Sequence, residues 1–174
     1  MKISIDKQLY EDITRLAYFD ELENQMLIGG VQFGDTVDTS ISTFKWYTPE
    51  EFREDKNVRI VKETVVAKNL KDLINQGYNT AVMITTHPCK EEKDDWVYAS
   101  LSNDDIKESK NVGLMCDLQG LNFYSGVATC NGIYFWVLDP KHLKPIQVEC
   151  EVDGEDVTKK VPSTLKEIVE KMQK

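Results

Sequence analysis

The sequence predicts an α/β domain in which a mixed β-sheet is flanked by helices. Three observations carry that prediction. Apolar residues recur at helical spacing in separated segments: Leu9, Ile13, Leu16 and Ala17, then Leu70, Leu73 and Ile74, then Leu165, Ile168, Val169 and Met172. Between them lie runs suited to buried strands, MLIGGVQF at 26–33 and TAVMITT at 80–86. Asn131-Gly132 and Asp153-Gly154 sit where hairpin turns are expected. The chain has 174 residues, enough for one domain to bury a core without disulfides or metal. It shows no internal repeat, low-complexity tract or interdomain linker, so residues 1–174 are expected to form a single domain.

Taken in order, Asp6 is a fair N-cap for an amphipathic helix over 7–21. The run at 26–33 is a strand whose Gly29-Gly30 suggests close backbone packing. Residues 41–47 alternate as a strand does, 48–57 are polar and read as a surface loop or short helix, and 58–66 are β-rich. A short helix over 67–76 ends at Gly77. The strand at 80–86 runs straight into His87-Pro88, followed by a charged loop over 89–99. A helix is expected from Ser102 to about Lys110, and three strands over 111–138. From about 144 to 174 a β-hairpin and a helix extend the domain, the helix starting near Ser163 and Thr164, with Thr164 and Glu167 as a capping box.

The net charge of −9 repels a phosphate backbone unless a basic patch is concentrated somewhere, and the short patches at 141–144 and 159–160 are flanked by acids. Nucleic acid is therefore not an expected partner. No stretch approaches the roughly 20 apolar residues of a membrane span, and the N-terminus lacks the apolar run of a signal peptide. Cys89, Cys116, Cys130 and Cys150 form no CxxC pair, which suits free thiols in a reducing, cytoplasmic compartment.

Three features carry potential chemistry. Glu23 immediately precedes the Gly-Gly strand, His87-Pro88 closes a buried strand, and Ser102-Asn103-Asp104-Asp105 opens the next helix. Each alone has a structural reading: a solvated surface acid, a strand-end histidine bonded to backbone, and a helix capping box. Their order is what gives them weight together.

That order resembles the JAB/MPN family, the JAMM metalloproteases. The family signature places a Glu ahead of a Gly-Leu-Leu-Leu-Gly-like strand, ends a later strand in His-x-His-Pro, and begins the following helix with Ser-x-x-Asp. Here Glu23 to Gly30 (ENQMLIGG), Thr85-Thr86-His87-Pro88 and Ser102 to Ile106 (SNDDI) stand in those places, with Met26 where Gly is usual. The resemblance covers residues about 7 to 138. It implies a JAB/MPN-like, cytidine-deaminase-like fold. It also implies a zinc ion held by two His and an Asp with water in the fourth position. Carried over by position, Glu23 is the general base, His87 and Asp105 are metal ligands, and Ser102 steadies the oxyanion.

The departure from the signature is Thr85, which occupies the place of the first His. A hydroxyl is a weak neutral ligand, and His87 with Asp105 alone make a poor zinc site, because catalytic zinc normally has three protein ligands. The other histidine, His142, is at no motif position. The loop after His87 is longer than usual for the family and contains Cys89, Glu91, Glu92, Asp94 and Asp95. Cys89 is the best substitute ligand by softness, against its reading as an ordinary thiol.

Two functions follow from the resemblance. One is a JAMM-like domain with a weakened or lost zinc site that serves as a protein-binding or scaffold domain, since family members lacking ligands occur beside active relatives. The other is an active metal-dependent peptidase or isopeptidase with a remodelled site. The implied partner in either case is a protein or a peptide tail, ubiquitin-like tails included; for the active reading the resemblance implies an extended tail bound by β-strand addition.

Overall fold

The computed structural model describes residues 2–19, 23–34, 36–39, 45–46, 52–55, 58–88, 99–138, 144–162 and 165–173, with the backbone alone at 36–39, 45–46, 52–55, 58–60 and 165. In chain order the elements are β1 (Lys2–Ile5), α1 (Lys7–Phe19), β2 (Gln25–Phe33), β3 (Thr36–Thr39), β4 (Lys45–Trp46), β5 (Phe52–Asp55), β6 (Val58–Val61), α2 (Glu63–Asn75), β7 (Thr80–Thr86), α3 (Asn103–Leu118), β8 (Asn122–Thr129), β9 (Gly132–Leu138), β10 (Pro145–Val152), β11 (Glu155–Asp156) and α4 (Leu165–Met172). This is a mixed α/β architecture: a curled mixed sheet with helices against it. No helix among the described residues is long and apolar enough to cross a membrane.

The main sheet runs in the order β1-β3-β2-β7-β8-β9-β10-β11, with β4 beside β2, and β5 pairs with β6 as a separate hairpin. β1 also pairs in parallel with β10, Ile3 opposite Cys150, so the sheet curls until its two flanks meet. β2 and β7 are antiparallel, from Gln25 opposite Thr85 to Gly30 opposite Thr80. β7 and β8 are parallel, with Thr85 opposite Val127.

Strand alternation sorts the core into two faces. On one, Met26 and Ile28 of β2, Val82 and Ile84 of β7, and Ala128 and Phe135 meet Leu9, Ile13 and Ala17 of α1. On the other, Leu27, Ala81 and Met83 meet Val66, Leu70 and Leu73 of α2 and Val112 and Cys116 of α3. Farther along that second face, Val127, Tyr134 and Trp136 pack with Ala99.

Several boundaries differ from the sequence reading. Residues 52–55 are strand, not loop or helix, because they pair with 58–61, Phe52 opposite Val61. The β-rich segment stops at Val61, and α2 starts at Glu63, four residues early. Val65 and Val66 favour strands by propensity, yet Val66, Leu70 and Leu73 form a helical stripe against the sheet, and packing decides. α3 runs on to Leu118, so 111–138 holds two strands where three were expected. The apolar run 112–116 is the tail of that helix. Its buried stripe, Asp105, Ser109, Val112 and Cys116, has the i, i+4, i+7 spacing, but Leu114 and Leu118 face outward and blur the pattern.

Of the two hairpins, Asp153-Gly154 joins β10 to β11 with both residues at positive φ, 49° and 82°, the geometry of a two-residue primed turn. In the other, Thr129 pairs with Gly132, so the turn residues are Cys130 and Asn131, one place before the Asn-Gly pair. β10 pairs with both β9 and β1, which makes the segment from 144 onward continuous with the main sheet. α1 is described to Phe19, and the ends of the expected helices at 20–21 and 163–164 lie outside the described residues.

Gly126 of β8 is required by space. A Cβ there would stand 2.9 Å from Ile84 Cγ1 and 3.4 Å from the Phe135 ring, inside the α1-facing core. Gly126→Ala is expected to destabilise the fold by about 1–3 kcal/mol through overpacking. Urea unfolding of the two proteins measures it.

Candidate functional site

The site is assembled where β2 begins and β7 ends. The antiparallel pairing continues one step past the last paired strand residues: Thr86 N donates to Asn24 O at 2.8 Å, and Asn24 N donates to Thr86 Oγ1 at 2.8 Å. These bonds satisfy both backbone groups of a buried residue, which is costly to leave undone. They hold Glu23, the next residue, beside His87. On its other side His87 N donates to Ala128 O at 2.9 Å, extending the β7–β8 ladder past the end of β7.

Asp105 arrives from α3. Its backbone N donates to Ser102 Oγ at 3.1 Å and its Oδ2 accepts from Ser102 N at 2.9 Å, a complete capping box. The same Oδ2 lies 2.9 Å from His87 Nε2. The capping reading of Ser102 to Asp105 holds, and the carboxylate oxygen that the cap fixes also faces the histidine. Two contacts hold α3 in place. Ser109 and Ser125 hydroxyls hydrogen-bond at 2.5 Å between helix and β8, and Trp136 Nε1 donates to Ala99 O at 3.2 Å just ahead of the helix.

One carboxylate oxygen of Glu23, one nitrogen of His87 and one carboxylate oxygen of Asp105 all lie within 4.8 Å of one another. His87 and Asp105 are each 8 % exposed, whereas Glu23 is half-buried and opens the cluster to solvent. Thr85 is buried and stands on the strand face of Ala81 and Met83, the face toward α2 and α3 that His87 shares by strand alternation. Ser102 is exposed, with its hydroxyl taken up by the cap. Cys89, His142 and the acids of the 89–98 loop lie outside the described residues.

The two carboxyl groups are driven apart. Burial pushes Glu23 up, and the negative charges of Asp105 and Asp104 add to it against the opposing pull of His87. Burial also pushes Asp105 up, but the hydrogen bond and charge of His87, with the two bonds from Ser102, outweigh it and hold this carboxyl below its ordinary value. Paired carboxyls with opposite displacements mark functional sites more often than plain surface. The thiols of Cys116 and Cys150 are pushed up to about 12 by burial, so neither is a ready nucleophile or metal ligand.

A zinc set of two imidazoles and a carboxylate does not fit these residues, since position 85 offers a hydroxyl. What comes together is one imidazole and two carboxylates. A groove of about 730 Å³ lies elsewhere, between β10 and α4, lined by Trp136, Ile146, Val148, Val161 and Glu170, and it contains none of the clustered residues. No protein-family model matches the chain, and no curated protein matches it.

Asp105 links the cap to the site, and its lowered pKa sets a pH dependence. A carboxyl whose folded-state value is depressed stabilises the fold above its unfolded value, near 3.8, and loses that contribution as pH falls through the folded value. Asp105→Asn is expected to lower stability by about 2 kcal/mol at pH 7. The gap to wild type should narrow progressively in urea melts as pH is lowered past the ordinary aspartate value, 3.8.

Proposed function

We propose that this chain is a JAMM-like domain whose hydrolytic zinc centre has been weakened to the point of inactivity, and that it works as a protein-binding domain. Its expected partners are proteins or extended peptide tails, ubiquitin-like tails among them. The observation that carries the reading is Thr85. It stands on the same strand face as His87, where the family signature has its first metal-ligating His, and it supplies no imidazole. Of the remaining elements of the signature, Glu23, His87 and Asp105 lie close together, and Asp105 is held by the Ser102 cap. The curled mixed sheet, with α1 on one face and α2 and α3 on the other, agrees with such a fold.

The second reading, an active metal-dependent peptidase or isopeptidase with a remodelled site, is favoured by one observation. A binding scaffold has no chemical need to keep Glu23 within 4.8 Å of two potential ligands. In that reading Glu23 takes the proton of an attacking water and returns it to the leaving amine.

Incubating the full chain with zinc and peptide amides drawn from ubiquitin-like tails separates the two. No turnover is expected from the wild type, and Thr85→His is expected to tighten zinc binding at least tenfold, about 1.4 kcal/mol, in calorimetric titration. Turnover by the wild type that Glu23→Gln abolishes would overturn the proposal.

A further inference from the structure

We propose that Glu23 is a metal ligand in this protein, so that Glu23, His87 and Asp105 form a divalent-cation site of two carboxylates and one imidazole. The inference goes beyond the proposed function and stands on the geometry of the three side chains, whatever their relation to a known family.

Ligand atoms that share one ion at bond lengths near 2.0–2.2 Å lie about 3–4.3 Å from each other. The three atoms here are all within 4.8 Å, so a small side-chain rotation of the half-buried Glu23 closes the set. Backbone and capping bonds fix all three residues: Glu23 and His87 are set side by side by the Asn24–Thr86 bonds, His87 also by the Ala128 carbonyl, and Asp105 by the capping box. A site built on rigid elements is preorganised, which lowers the cost of closing round an ion.

Charge points the same way. Two carboxylates share a buried edge with one imidazole, and among the described residues no Lys or Arg acts on either of them. A protonated His87 offsets one of the two carboxylates, and a divalent ion bound between them offsets both. Thr85 explains why Glu23 is drawn in. With no imidazole at that position, an ion held by His87 and Asp105 needs a third strong protein donor, and among the described residues Glu23 is the acid that shares their cluster.

The donor set is richer in oxygen than one of two imidazoles and a carboxylate, and it therefore tolerates harder first-row ions such as Mn²⁺, while Zn²⁺ stays the tighter of the two by the general order of divalent affinities. A Glu23 bound to the ion is not available as a base. The ion then ties β2, β7 and α3 together in place of activating water.

The test is metal binding by the full chain after chelator stripping, titrated with Zn²⁺ and separately with Mn²⁺. Wild type is expected to bind one Zn²⁺ and, more weakly, one Mn²⁺, and to show a higher Tm in excess metal. Glu23→Gln, a half-exposed and nearly isosteric change, is expected to weaken both by at least about tenfold and to abolish the Tm rise while its metal-free Tm matches wild type. His87→Gln serves as the second variant with the same expected loss. Asp105 is left alone because it caps α3. Undiminished affinity in Glu23→Gln, or no binding of either ion by the wild type, would overturn the inference. The two readings fail separately: turnover removes the non-catalytic proposal, whereas only metal affinity bears on Glu23 as a ligand.

Discussion

The arrangement depends on one constraint, the antiparallel register of β2 against β7. Gln25 lies opposite Thr85, and the pairing is carried one step farther by Thr86, whose amide and hydroxyl take both backbone groups of Asn24. A slip by one residue would turn every side chain of β2 to the other face, removing Met26 and Ile28 from the core against α1. The hydrophobic pattern thus fixes the register, and the register places Glu23 next to His87. Local sequence alone cannot do this, since the two residues flank strands separated in the chain by four further strands and a helix.

Asp105 shows how one side chain serves structure and site together. The capping box with Ser102 is worth about 1 kcal/mol to a helix start, which would justify the residues without any chemistry. The geometry adds more, because the oxygen that accepts from Ser102 N also lies against His87 Nε2. Ser102 and the imidazole keep Asp105 ionised where burial alone would favour the acid, while Glu23, with no such donor among the described residues, is displaced upward. The same partition suits an acid–base pair or two ligands of one cation.

The strongest sequence signals were those with a local physical cause. The helical stripe of α1, the buried runs of β2 and β7, the Asp153-Gly154 turn and the Ser102–Asp105 cap all stand as read. Readings failed where tertiary contacts override local preference. Val65 and Val66 favour strand yet lie in α2, and the outward Leu114 and Leu118 made the end of α3 resemble a strand. β1 is four residues long, too short for its alternation to stand out, and its place is decided by parallel pairing with β3 and β10, partners far away in sequence. Glu23, His87 and Asp105 were each legible as candidates in the sequence. Their mutual distances required the sheet register and the packing of α3 on β8.

The central claim is that these three side chains share one environment and act on one another. Carboxyl-detected NMR titration of the metal-free full chain tests it directly. The Asp105 carboxyl should titrate below the ordinary aspartate range and Glu23 above the ordinary glutamate range, and His87→Gln should move Asp105 upward. Two ordinary midpoints, both unchanged by His87→Gln, would show that the three groups do not meet and would contradict the account.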